Sequence, residues 1–114
     1  MTEEFPMPNA ENTPEITLEM VHFQTDSAIS EAAFVALFAQ TEFLLHRQPG
    51  FLSRQLIRAD DGRWTDLVLW RSRPEAEAAA AIVTRDPAFA GFASAIRMET
   101  VEMGHHRLLA KMGG

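Results

Sequence analysis

The residues best suited to chemistry are ionisable side chains inside otherwise apolar, strand-like segments. Asp66 interrupts the segment WTDLVLW, where two-residue alternation places Trp64, Asp66 and Trp70 on one face. His22 lies within a second such segment, ITLEMVHFQ. Both His22 and Asp66 could accept or share a proton, and Arg54 could orient an anionic or phenolic oxygen. We therefore predict His22 and Asp66 as candidate catalytic residues. The alternative for each is a structural role, as a polar side chain whose hydrogen bonds are satisfied at a sheet edge or interface.

Histidine is the other residue type that could build a site. His105 and His106 are adjacent on the last predicted strand and point to opposite faces, so only one of them can join His22. Because a clear third ligand is missing, we predict no metal site. His46 lies in the last turn of the first predicted helix. We expect it to interact with the carbonyl groups at the helix C-terminus and not with a substrate.

Composition excludes several classes of protein. The 114 residues include no cysteine, which rules out disulfides, thiolate metal sites and a cysteine nucleophile. The sequence contains neither a Gly-x-Ser-x-Gly motif nor a phosphate-binding glycine loop. A net charge of -6 with scattered basic residues argues against nucleic acid as a partner. Since neither a signal peptide nor a membrane-length segment is recognisable, we expect no membrane association and a cytoplasmic protein.

Hydrophobic periodicity and turn residues predict six elements. Strands are predicted at residues 16–24, 51–58, 63–71 and 100–109. One helix begins at Ser30 and ends at Pro49, and a second begins at Ser72 and restarts at Asp86. Gly104, inside the last strand, indicates a bulge or a close contact. We expect residues 1–15 to form a flexible arm and residues 16–114 to form one domain.

The order of these elements predicts the fold class. Strand, helix, hairpin, helix, strand is the ferredoxin-like β-α-β-β-α-β order of an α+β protein, with a four-stranded antiparallel sheet and both helices on one face. The other face carries too much apolar surface to remain in water. We therefore predict a homodimer in which a second copy covers that face.

Three short motifs carry a resemblance to a known family. They are Pro49-Gly50-Phe51, Trp70-Arg71-Ser72, and Asp86-Pro87-Ala88-Phe89 with Phe92 beyond. Together they resemble the antibiotic biosynthesis monooxygenase family of the dimeric α+β barrel superfamily, over about residues 16–109.

The resemblance implies a homodimer and a pocket in each protomer between sheet and helices. It places Trp70 on the pocket floor as a third catalytic candidate, and its motifs include Phe89 and Phe92. These two residues, with Trp64 on the same strand face as Trp70 and with Arg54, are the predicted substrate-binding residues. Some relatives oxidise quinols or anthrones without a cofactor, others degrade haem, and others isomerise small metabolites. The haem-degrading relatives take a histidine from the second helix, and this chain has none between residues 47 and 103, which argues against haem ligation.

The resemblance therefore implies a cofactor-independent monooxygenase that acts on a small aromatic or quinol-type compound. Two alternatives stay open. One is a non-catalytic ligand-binding or interaction module that keeps the fold and the pocket, and the other is a small-metabolite isomerase.

Overall fold

The computed structural model describes residues 15–113. In this part of the chain the elements are β1 (Thr17–Thr25), α1 (Glu31–Gln40), α2 (Glu42–His46), β2 (Phe51–Arg58), β3 (Trp64–Trp70), α3 (Arg73–Val83), a turn of 3-10 helix (Pro87–Phe89), α4 (Ala90–Ser94) and β4 (Ile96–Arg107). The four strands form one antiparallel sheet in the order β2-β3-β1-β4. The predicted β-α-β-β-α-β fold is confirmed. None of the described helices is long and apolar enough to cross a membrane.

The helices pack on one face of the sheet and bury two hydrophobic clusters there. The first cluster centres on Trp70, Val68 and the alanines of α3. The second centres on Phe23, Phe34 and Phe92, whose rings stack or meet edge to face. Alternation along β3 is therefore as predicted, because Trp64, Asp66, Val68 and Trp70 are all buried.

The other face of the sheet belongs to neither cluster. Its apolar residues include Leu18, Met20, Leu67 and Leu69, which are only partly buried, and Ile57, which is 51% exposed. We call this surface the open face. The apolar open face that the sequence predicts is therefore present.

Helix starts follow the predicted caps. The Ser30 and Ser72 hydroxyl groups accept from the backbone N–H groups of Ala33 and Glu75, and the Asp86 carboxylate accepts from the N–H of Ala88. These caps satisfy backbone donors that helices leave unpaired in their first turn. The predicted interruption of the second helix at Asp86 is confirmed.

The first helix differs from the prediction because it is divided at Thr41. The Thr41 side chain is fully buried, and its hydroxyl donates to the Phe38 carbonyl at 2.7 Å and accepts from Arg54 Nη1 at 2.6 Å. A hydroxyl that bonds back to the preceding turn competes with the helical pattern. The hydrogen bond from Arg54 on β2 thus holds Thr41 at the point where α1 ends and α2 begins.

The last strand also departs from the prediction, since it begins at Ile96 and ends at Arg107. Four residues of β4, 98–101, lie opposite Phe23 alone, and Thr100 Oγ1 fills the gap by accepting from the Gln24 N–H at 2.8 Å. The bulge therefore lies here and not at Gly104. Gly104 pairs regularly with Met20 and shows the close contact instead, because a Cβ there would lie 3.1 Å from the His106 ring.

The predicted flexible arm, residues 1–15, lies outside the described residues except for its last member. The Glu15 carboxylate accepts from Arg107 Nη1 at 3.4 Å.

Candidate functional site

A cavity of about 420 Å³ lies between the helices and the sheet. Its volume is within the range of small-molecule sites. Of the seven site residues predicted from the sequence, five line it, namely Arg54, Asp66, Trp70, Phe89 and Phe92. The structure therefore places most of the predicted site around one space.

Small residues on the helices leave this space open. Ala79 and Ala80 of α3 and Ala93 of α4 face the strands where larger side chains would fill the gap. From the sheet side, the bulge in β4 directs Met98 and Val101 to the same cavity. The walls are consequently almost entirely apolar.

Glu19 is an ionisable cavity residue that the sequence reasoning missed. It lies on β1, is 9% exposed, and accepts a hydrogen bond of 2.8 Å from the Trp70 indole N–H. Burial raises the pKa of the Glu19 carboxyl above its usual range, and the nearby Asp66 raises it further, whereas the Trp70 hydrogen bond, His105 and Arg54 oppose that rise. A carboxylate with a raised pKa is a stronger base, which suits it to accept a proton from a bound molecule.

A signal for Glu19 existed in the sequence. It is the acidic residue of an otherwise apolar strand, in the same two-residue register as the buried Phe23. The same reasoning had selected Asp66 on β3.

Asp66 and Arg54 form a buried ion pair across β3 and β2. Arg54 Nε donates to Asp66 Oδ1 at 3.0 Å and Nη2 donates to Oδ2 at 2.7 Å, with side-chain exposures of 7% and 10%. The guanidinium also lies 4.0 Å from the Phe38 ring centroid. Each charge is thereby neutralised by the other, so Asp66 is less suited to proton transfer than Glu19, and Arg54 is less suited to an anionic ligand.

Two predicted site residues lie away from the cavity. His22 is on the open face, where its Nδ1 lies 2.7 Å from Thr65 Oγ1, so the structure does not bring it together with Asp66 or Trp70. Trp64 faces the helices but packs in the second cluster, with its ring centroid 4.8 Å from that of Phe34. Neither side chain lines the cavity.

The histidines of β4 fall on opposite faces, as predicted. His105 lies directly opposite Glu19 on the helix-covered side, and His106 lies on the open face. Within residues 15–113, no three His, Asp or Glu side chains are grouped as metal ligands. The described cavity wall contains no histidine.

Solved structures of other proteins share this arrangement of strands and helices. SnoaB, a cofactor-independent oxygenase from Streptomyces nogalater, is 23% identical over 87% of this chain and 96% of its own, with a TM-score of 0.58. A proposed antibiotic biosynthesis monooxygenase from Bordetella bronchiseptica is 19% identical over 84% and 99% of the two chains, with a TM-score of 0.67. The chain has the antibiotic biosynthesis monooxygenase fold.

The same fold occurs in a haem-degrading protein from Mycobacterium tuberculosis, which is 20% identical over 88% of this chain and 99% of its own, with a TM-score of 0.62. The sequence matches no known family profile and no characterised protein at a significant level. The resemblance predicted from the sequence is thus confirmed as a shared fold, and function must be argued from the site.

The raised pKa of Glu19 predicts that the stability of this protein depends on pH. Because burial raises the Glu19 pKa above its usual value of 4.5, the folded protein holds this proton more tightly than the unfolded chain does. The resulting stabilisation is complete below about pH 4.5 and is lost as the pH rises through the folded-state pKa.

We therefore expect Glu19→Gln to gain stability relative to the wild type as the pH rises, by about 1.4 kcal/mol for each unit by which the pKa is raised. Urea unfolding from about pH 4 to about pH 8 measures the difference. A difference that stays constant with pH would contradict the raised pKa.

Proposed function

We propose that the protein binds a small aromatic or quinol-type compound in the helix–sheet cavity and oxygenates it without a tightly bound cofactor. The observation that carries this proposal is a buried carboxyl, Glu19, on the wall of an otherwise apolar cavity. The shared fold with SnoaB, described as a cofactor-independent oxygenase, supports the same reaction type.

The chemistry begins with removal of a proton from the substrate. When Glu19 takes a proton from an acidic C–H or O–H group, the substrate becomes an electron-rich anion that can donate electrons to dioxygen. For a ring methylene, one oxygen atom then bonds to the carbon as a peroxide, and loss of water leaves a carbonyl group. One oxygen atom enters the product, the other leaves in water with the two hydrogens, and the substrate supplies all the electrons.

The remaining wall residues position and shield this reaction. The Trp70 N–H holds one Glu19 oxygen, while Phe89 and Phe92 provide aromatic surfaces against which a planar ring can pack. The apolar walls exclude water, which makes Glu19 a stronger base. They also favour the entry of dioxygen, which is itself apolar. The Arg54–Asp66 pair adds a fixed dipole beside the cavity without adding net charge.

One observation favours a non-catalytic binding module instead. The polar groups predicted for catalysis are already bonded within the protein, because Asp66 pairs with Arg54 and the Trp70 N–H donates to Glu19. A site whose polar groups are satisfied can hold an apolar ligand without reacting with it.

Dioxygen uptake with a panel of quinols and anthrones separates the two functions. We expect turnover by the wild-type protein and a loss of at least about 10-fold in Trp70→Ala, because this variant removes both a wall of the cavity and the donor to Glu19. Tight binding of an aromatic compound without any uptake would support the binding module. Uptake that is unchanged in Trp70→Ala would contradict the site.

We also propose that two copies pair through the open face. Leu67 lies at the middle of that face, between Met20 of β1 and Gln55 of β2. We expect the wild type to be a dimer by light scattering at micromolar concentration and Leu67→Asp to be a monomer, because a charge at the centre of an apolar interface is costly.

Ile82→Asp is the matched control, since Ile82 is 57% exposed on α3, on the helical side of the molecule. It should remain a dimer. A wild-type monomer, or equal effects of the two substitutions, would contradict pairing through the sheet.

A further inference from the structure

Glu19 is enclosed, so a proton that it accepts needs a way out. Four groups lie near it: Trp70 and Asp66 from the adjacent strand β3, His105 from the adjacent strand β4, and Arg54 from β2, one strand further away. Asp66 and Arg54 are bound to each other, and the Trp70 indole is a donor only. His105 is the remaining neighbour, and histidine is the side chain that exchanges protons near neutral pH.

The sheet places His105 between Glu19 and solvent. The two residues are directly opposite on the antiparallel strands β1 and β4, and both point to the helix-covered side. Residues paired in this way have Cβ atoms about 5 Å apart, so their side chains can meet directly or through one water. Because β4 is an edge strand and His105 is only partly buried, its ring extends the path to the outside.

We propose that Glu19 and His105 form a proton-transfer pair that discharges the cavity base to solvent, a role that rests on the proposed oxygenase function. The Glu19 carboxylate takes a proton from the substrate, the carboxylic acid passes a proton to the His105 imidazole, and the imidazolium releases it to water. The pair returns to its starting state, the substrate anion reacts with dioxygen, and the peroxide anion that forms takes a proton from water in place of the one released. His105 lies opposite Glu19 and does not line the cavity, so it acts through Glu19.

His105 lies between a buried carboxyl and the exposed edge of the sheet. Glu19 is directly opposite it on β1. Arg107 follows two residues later on the same side of β4, where it pairs with Glu15 at 3.4 Å in an exposed ion pair. This position, between the buried base and solvent-exposed polar groups, is the one that a proton-transfer group requires.

The first test compares His105→Ala with His106→Ala in dioxygen uptake. His106 is the matched control because it lies on the same strand, points away from the cavity, and is exposed at the edge of the open face and not at its centre. We expect His105→Ala to lower kcat about 10-fold or more, with KM within about twofold, and added imidazole to restore the rate in a saturable manner. His106→Ala should behave as the wild type. An unchanged kcat in His105→Ala, or a loss that imidazole does not restore, overturns the proposal.

A second test needs no turnover. Carbon-13 NMR of the Glu19 carboxyl follows its titration directly, and a protonated His105 stabilises the carboxylate, so His105→Ala should raise the Glu19 pKa while His106→Ala leaves it unchanged. An unchanged titration in His105→Ala overturns the pair. If the wild type consumes no dioxygen with any substrate, the oxygenase function fails, and this titration still decides whether the two side chains are coupled.

Discussion

Glu19→Gln is expected to lower kcat for dioxygen uptake by about 100- to 10,000-fold, the usual contribution of a positioned general base. The amide cannot accept the substrate proton, so the electron-rich anion does not form. The substitution otherwise changes little, because the side-chain amide oxygen of the variant can still accept the hydrogen bond that the Trp70 indole donates in the wild type at 2.8 Å.

Binding and turnover must be measured separately on this variant. Quenching of tryptophan fluorescence by a quinol reports cavity binding, which should stay within a few-fold of the wild type while the oxygen electrode shows the loss of rate. Glu77→Gln is a matched control on the exposed side of α3, where Glu77 pairs with Arg73. Wild-type turnover in Glu19→Gln would remove Glu19 from the mechanism.

Arg54→Met is expected to lower the free energy of unfolding by about 3–5 kcal/mol at neutral pH, because it leaves the buried Asp66 carboxylate without its partner. Desolvation of an unpaired charge costs more than the pair gains, so the double variant Arg54→Met/Asp66→Leu should recover most of the lost stability. Urea unfolding of the two single variants and the double variant measures this coupling.

The exposed pair between Arg73 and Glu77 is the control for this cycle. Its side chains are more than half exposed, so Arg73→Met should change stability by less than about 0.5 kcal/mol. Equal losses at Arg54 and Arg73, or a double variant as unstable as Arg54→Met, would show that the buried pair is not what stabilises this part of the sheet.

Sequence patterns predicted the features of this protein that depend on neighbours in the chain. The helix caps at Ser30, Ser72 and Asp86 and the hairpin that joins β2 to β3 each arise from residues close together in the chain, and all are present. Two features that depend on distant residues were not predicted. Thr41 divides the first helix through contacts that include Arg54, and the bulge in β4 is set by its pairing with β1.

In the candidate site, too, the features that depend on residues distant in the chain were not predicted. Alternation correctly separated the two faces of each strand, but both faces of β1 are apolar, so the sequence could not tell which face the helices cover. His22 was therefore predicted to join Asp66 although it lies on the open face. The strand pattern marks Glu19 as an acidic residue but does not show its hydrogen bond with Trp70, which is 51 residues away in the chain.

The alanines above the cavity separate substrate size from reaction type. Helices α3 and α4 set the depth of the space through Ala79, Ala80 and Ala93, whereas the strands supply Glu19 and its hydrogen-bond donor. Adding single methyl groups to those alanines would shorten the ring system that fits without altering the proton chemistry below. In the proposed oxygenase, the helical layer would thus set the size of the ligand, and substitutions in α3 and α4 would change that size while the sheet stays the same.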